Sequence, residues 1–191
     1  FCAASPAFWQ FMAANRSIMW IFIIAQLALV IWLSARIHSL SMGAATLLFI
    51  LYSVLMGVTM SSIFMVYTMS SIATTFFITA GTFLAMSIIG YFTRLDLSRM
   101  GSLLIMALIG LIIASVVNIF MHSETLYWII SFAGVLIFVG LTAYDTQDIK
   151  HMLTQYGTAD DMGHKYALLG ALTLYLDFIN LFLHLLSILG N

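Results

Sequence analysis

Residues 172–189 read LTLYLDFINLFLHLLSIL and hold one carboxylate, Asp177, within an otherwise apolar run. An ionised carboxylate at membrane depth is costly, so such a residue usually faces a partner or a wet cavity. A second carboxylate, Asp145, closes the preceding apolar run in residues 134–150, GVLIFVGLTAYDTQDIK. Two aspartates on consecutive apolar runs indicate proton or cation chemistry inside a membrane protein.

The composition excludes a soluble domain. Hydrophobic residues make up 63% of the chain and charged residues 7%, whereas soluble domains carry about 25% charged residues. The chain has no basic cluster that could hold phosphates, so no nucleic acid partner is expected. The single cysteine, Cys2, excludes an internal disulfide and a thiolate metal cluster. The sequence offers no cofactor, and membrane lipid is the surrounding partner that it predicts.

The hydropathy pattern predicts one transmembrane domain of helical spans. A helical span needs about 20 apolar residues, and the runs lack the alternation of barrel strands. The chain begins with Phe1 rather than Met, and residues 1–12, FCAASPAFWQFM, resemble the tail of an apolar segment. We therefore expect a first span that is truncated or missing here. The full predicted spans are residues 17–35, 42–67, 71–92, 101–121, 125–145 and 166–189.

The basic residues predict an orientation. If the polar breaks alternate sides, Arg16 lies on one side of the membrane and the other five basic residues lie on the opposite side. Those five are Arg36, Arg94, Arg99, Lys150 and Lys165. The positive-inside rule places the five in the cytoplasm and the C-terminus outside.

Four polar residues form a stripe on the last predicted span. Thr173, Asp177, Asn180 and His184 are spaced i, i+4, i+7 and i+11, which places them on one helix face. Hydrogen bonding between helices would account for Thr173 and Asn180. Solvation near the outer surface would account for His184. Asp177 is the member for which a charge at mid-depth favours function.

Asp145 has two equally good interpretations when it is taken alone. It could mark the point where its helix leaves the bilayer, or it could be functional. Thr142 and Asp148 lie three residues before and after it, on the same face. Arg36, at the end of an earlier span, is the nearest candidate for a basic partner, although it also suits a plain positive-inside anchor.

A pairing of Asp145 with Asp177 would favour function for both. Two carboxylates a few ångströms apart in a low dielectric cannot both ionise cheaply, so they share a proton. The same oxygens suit calcium, a hard cation that prefers oxygen ligands. Protons and transiently bound calcium would then compete for one site.

Residues 138–150, FVGLTAYDTQDIK, and residues 170–183, GALTLYLDFINLFL, together resemble the signature of the Bax inhibitor (transmembrane Bax inhibitor motif) family. The resemblance covers essentially the whole chain and is strongest to the bacterial inner-membrane branch. It implies a seven-helix bundle in the bacterial inner membrane, with the last helix at its centre. It also implies a pH-sensitive calcium leak at paired aspartates, which match Asp145 and Asp177. Arg36 or His38 would provide the basic latch of some members.

Three functions are compatible with these features. The first is a cation leak channel controlled by the aspartate pair, with protons and calcium as its partners and no enzymatic activity. The second is a membrane interaction protein, because bacterial relatives are associated with modulating a membrane protease or a stress response. The third is an intramembrane aspartyl protease, and YLDF in place of GxGD around Asp177 speaks against it.

Overall fold

The computed structural model describes residues 16–37, 39–156 and 161–191, and over these ranges the chain is helical with no strand. The predicted stub at residues 1–12 and the latch candidate His38 lie outside the described residues. The helices are α1 Arg16–Arg36, α2 Met42–Met60, α3 Ile63–Val66, α4 Met69–Phe92, α5 Ser98–Met121, α6 Glu124–Tyr156 and α7 Asp161–Leu189.

Five helical segments are long and apolar enough to cross a membrane. They are Met42–Val66, which joins α2 and α3, and the main parts of α4, α5, α6 and α7, while Ile21–Arg36 is a shorter apolar helix. Large apolar side chains remain outside the core, such as Phe77 at 74% and Phe120 at 80% exposure. Soluble proteins rarely expose so much contiguous apolar surface, whereas lipid covers such a surface. The prediction of a polytopic all-α membrane protein is confirmed.

Local side-chain bonds explain where several helices begin. The Ser41 hydroxyl accepts a hydrogen bond from Ala44 N (3.3 Å), and the Thr68 hydroxyl accepts one from Ser71 N (3.3 Å). Side-chain oxygens at these positions satisfy amide groups that have no partner within the helix. Asp96 does the same for Ser98 N (2.9 Å) at the start of α5. The weakly polar break near Thr68 is therefore a helix start set by capping.

Helices α6 and α7 form the central pair of the bundle. Helix α6 also packs against α4 and α5, while α7 also packs against α4 and α2, and α1 packs on α2. We expected the last helix, α7, at the centre of the bundle. It shares that central position with α6, which buries a larger share of its residues than α7 does. Small residues allow this packing because backbones can approach closely where no side chain intervenes.

Helix α6 extends well past the end of its predicted span. The span was predicted to finish at Asp145, but the helix continues through TQDIKHMLTQ to Tyr156. Asp145 therefore lies eleven residues, or about 16 Å of helix rise, before the end of α6. Its place inside a continuous helix beside α7 puts this carboxylate within the bundle.

Candidate functional site

The carboxyl groups of Asp145 and Asp177 lie within hydrogen-bonding reach of each other. Asp145 projects from α6 and is half-buried, whereas Asp177 projects from α7 and is only 4% exposed. The close packing of α6 on α7 brings together two residues that are 32 positions apart in the chain. The structure therefore pairs the two aspartates.

One oxygen of Asp177 lacks a donor. Its Oδ2 atom is buried and receives no hydrogen bond from the described residues. A buried carboxylate oxygen without a donor costs free energy, because it has lost its water without replacement. A proton shared with Asp145, a bound cation or a water molecule would each remove that cost. The pair is therefore suited to share a proton or to accept a small cation.

A cavity of about 720 Å³ adjoins the pair. Its wall is mostly apolar and comes from α1, α2, α5, α6 and α7. A cavity of this size can hold water only where polar groups provide partners. The polar side chains on its wall are Gln26, Tyr52, Ser115, Asp145, Thr173, Asp177, Asn180 and His184.

Thr173 and Asn180 line this cavity on either side of Asp177, one turn or nearly one turn away along α7. The Thr173 hydroxyl donates to Leu169 O (3.1 Å), and the Asn180 amide donates to Leu176 O (2.8 Å). The only hydroxyl proton of Thr173 and one of the two amide protons of Asn180 are thus used within the helix. Their oxygens remain available as acceptors, which suits a cation better than an anion.

The other candidate residues surround the pair without completing it. Thr142 is fully buried and donates to Phe138 O (2.7 Å), and it is not on the cavity wall. Asp148 is half-buried one turn beyond Asp145 and interacts with it as a like charge. Arg36 is exposed at the end of α1 and is not among the charged groups that act on Asp145. No latch between Arg36 and Asp145 is formed in the described part of the chain.

His184 packs against α6. Solvation of this residue near the outer surface stays a prediction, and the structure adds that the side chain is half-buried and stacks on Phe138, with ring centroids 5.7 Å apart at 24°. It also lines the cavity. Linear distance from the helix end could not show how α6 covers that face of α7.

Sequence reasoning missed Gln26 and Ser115. Gln26 is 7% exposed and donates from Nε2 to Leu55 O (3.0 Å) and to the Thr59 hydroxyl, so it joins α1 to α2 at the cavity wall. It is a lone polar residue in IIAQLALVIW, and this isolation is the signal that could have found it. Ser115 occupies the same kind of position in α5 but carries a weaker signal, because serine is common in membrane helices.

The described residues do not form a conventional metal centre. No group of three or more His, Cys, Asp or Glu side chains converges among them. Calcium takes six to eight oxygen ligands, and the pair supplies carboxylates from only two residues. Any calcium bound here would therefore keep much of its water, as a transient ion does.

These features define a class: a polytopic helical membrane protein with a carboxyl pair beside a cavity that several helices line. The sequence model of the family described as "Inhibitor of apoptosis-promoting Bax1" matches residues 1–191. The chain belongs to this family, the Bax inhibitor family, as the two aspartate motifs predicted.

Three relatives illustrate how far the similarity extends. The chain is 57% identical over 192 residues to "Inner membrane protein YbhL" of Escherichia coli (strain K12), covering 100% of this chain and 82% of the relative. It is 53% identical over 169 residues to an uncharacterized protein of Borreliella burgdorferi, covering 88% and 73%. It is 45% identical over 171 residues to "Uncharacterized protein RP147" of Rickettsia prowazekii, covering 90% and 72%.

Proposed function

We propose that the protein is a pH-sensitive leak pathway for cations, with calcium as the transported ion, and that the Asp145–Asp177 pair controls it. One observation carries the proposal: Asp177 is buried at the wall of a large cavity, beside a second carboxyl group and with one oxygen lacking a donor. Burying a carboxyl group in such surroundings costs stability, which favours a functional role for it.

The chemistry follows from competition for one set of oxygens. Two adjacent carboxyl groups in a low dielectric hold a shared proton, and a divalent cation can replace it. The available oxygens of Thr173 and Asn180 extend this acceptor surface along α7. A cation held loosely by these groups can leave again, which conduction requires.

The sign of the pH dependence follows from the surroundings of the pair. The charged groups that act on Asp145 are Asp177 and Asp148, both acidic. Protonation therefore removes cation ligands without breaking an ion pair to a base among the described residues. Acidification is expected to lower the cation flux.

The membrane and the orientation are also part of the proposal. The similarity to a relative named as an inner membrane protein supports a location in the bacterial inner membrane. The excess of basic residues on one side supports a cytoplasmic position for the α4–α5 and α6–α7 connections. The C-terminus would then lie outside.

Calcium influx into liposomes tests the proposal. Reconstituted protein would be compared with Asp145→Asn and Asp177→Asn from about pH 5 to 8, the range expected for a carboxyl pair with a shared proton. We expect calcium-dye signals that fall with acid in the original protein and do not depend on pH in either variant. Asp96→Asn, which changes an exposed loop carboxylate, is the matched control and should keep the original profile.

Two results would contradict the proposal. A pH dependence that survives in both pair variants would show that other groups are the sensor. No flux above empty liposomes from folded protein would favour the interaction-protein alternative, in which a membrane protease is the partner. Partner binding that persists in both variants would support that alternative.

A further inference from the structure

A second cavity of about 300 Å³ lies toward the C-terminal end of α7. Two isoleucines, Ile119 and Ile130, line part of it, and the remaining lining residues are polar or aromatic. Those are Ser115, Asn118, Tyr127, Ser131, His184 and Ser187. Ser115, Ile119 and His184 line the larger cavity as well. The two cavities therefore adjoin at these three side chains, one from α7 and two from α5.

His184 is the one of these three side chains that α7 contributes. It lies seven residues beyond Asp177, or about 10 Å along the helix, on the face that carries the carboxyl group. A hydrated cation that moved between the second cavity and the carboxyl pair would pass the imidazole ring.

The His184 ring packs against a surface of α6, here called its seat, that Gly134 and Phe138 form. It stacks on Phe138 with the centroids 5.7 Å apart. It also fills the space beside Gly134, where an added Cβ atom would lie 2.5 Å from three ring atoms. Real Cβ atoms do not approach so closely, so a side chain at position 134 would push the ring away from α6 and toward α5.

The contacts with Phe138 and Gly134 hold the ring in this seat. A ring that is held by packing can change rotamer at a cost that the packing sets. Ser115 and Ile119 of α5 line the junction together with the ring.

We propose that the His184 ring is the gate between the two cavities and controls access from the C-terminal end to the carboxyl pair. The inference rests on the proposed cation pathway, because it assigns a role to the ring within that pathway. A ring on its seat narrows the junction, and a ring pushed toward α5 closes it. Removal of the ring opens it.

Thiol accessibility tests the gate without any ion flux. Cys2→Ser removes the only native cysteine, after which one cysteine is introduced as a reporter. Thr173→Cys reports on the large cavity, and Ser187→Cys reports on the second cavity. A charged, membrane-impermeant methanethiosulfonate is added to intact spheroplasts or to inverted vesicles, and Ser187→Cys identifies the face that carries the C-terminal end.

The expected result is a gated reaction at the deeper site only. From the C-terminal face, His184→Ala should speed labelling of Thr173→Cys, because the ring no longer narrows the junction. Labelling of Ser187→Cys should stay unchanged, which also shows that the variant is folded. Equal rates at Thr173→Cys with and without His184, or no labelling in either case, would overturn the gate.

Gly134→Ala provides the opposite test. The added methyl group should displace the ring toward α5 and slow labelling of Thr173→Cys, and His184→Ala should abolish that slowing in the double variant. Gly110→Ala is the matched control, because a Cβ atom there meets nothing within 4 Å. If labelling shows the gate but the protein conducts no calcium, the gate proposal stands and the proposed leak function is wrong.

Discussion

Gly90 of α4 lies directly against the backbone of Ala143 of α6, so that a Cβ atom at position 90 would overlap the Ala143 carbonyl group. Gly90 is buried, and Ala143 is 2% exposed. Backbone atoms cannot move aside as the end of a flexible side chain can. The contact therefore sets the spacing of α4 and α6 two residues before Asp145.

Gly90→Ala should destabilise the bundle by about 1–3 kcal/mol, the usual cost of forcing extra volume into packed helices. The two helices must separate, so we also expect a change in the pH profile of calcium flux. Thermal unfolding in detergent measures the first effect. Gly81→Ala in the same helix is the control, because a Cβ atom there meets nothing within 4 Å. Equal melting temperatures for Gly90→Ala and Gly81→Ala would contradict a close contact between Gly90 and Ala143.

Calcium and protons should compete at the carboxyl pair. If both occupy the oxygens of Asp145 and Asp177, a tenfold rise in calcium should shift the pH of half-maximal flux to a lower value. The reason is that a higher calcium concentration displaces the shared proton. Flux measured at several calcium concentrations and pH values checks this shift. If the pH of half-maximal flux does not change with calcium concentration, protons act at another site.

Asp96 should not contribute to any pH dependence near neutrality. Hydrogen bonds from the Ser98 side chain and then from its backbone N–H hold the pKa of this exposed loop carboxyl group below its ordinary value of 3.8. A lowered pKa means that the ionised form stabilises the folded state above pH 3.8 and that this contribution is lost as the pH falls below that value. Asp96 therefore stays ionised throughout the range from about pH 5 to 8.

NMR titration of the Asp96 carboxyl carbon would measure this pKa. A midpoint above 3.8 would contradict the two Ser98 hydrogen bonds as the dominant influence. The prediction also explains why Asp96→Asn serves as the control in the flux experiment.

Gln147 should control the order of the loop between α4 and α5. Its Oε1 accepts a hydrogen bond from Leu97 N (2.9 Å), and its Nε2 donates to Leu95 O (2.8 Å). Gln147→Ala leaves both backbone groups without their partner, at a cost of about 1–3 kcal/mol. We expect faster hydrogen exchange at the Leu97 amide. Gln155→Ala, at an exposed position of α6, is the control, and equal exchange in both variants would contradict the role of Gln147.

The sequence itself determined the class of the molecule. Long apolar runs exclude a soluble fold because their burial needs lipid, and this argument requires no knowledge of packing. The sequence also singled out Asp145 and Asp177, because a carboxylate within an apolar run is costly wherever that run lies. The family assignment followed from the same two segments.

The tertiary structure decided which side chains meet. Asp145 had two equal interpretations in sequence, and only the packing of α6 on α7 brings its carboxyl group to Asp177. The contacts of His184 with Gly134 and Phe138 could not be read from the sequence. Helix periodicity shows which residues share a face of one helix, yet the rotation and contact of two helices depend on close packing along their whole length. The cavities and the proposed gate exist only at that level, because their walls come from several helices.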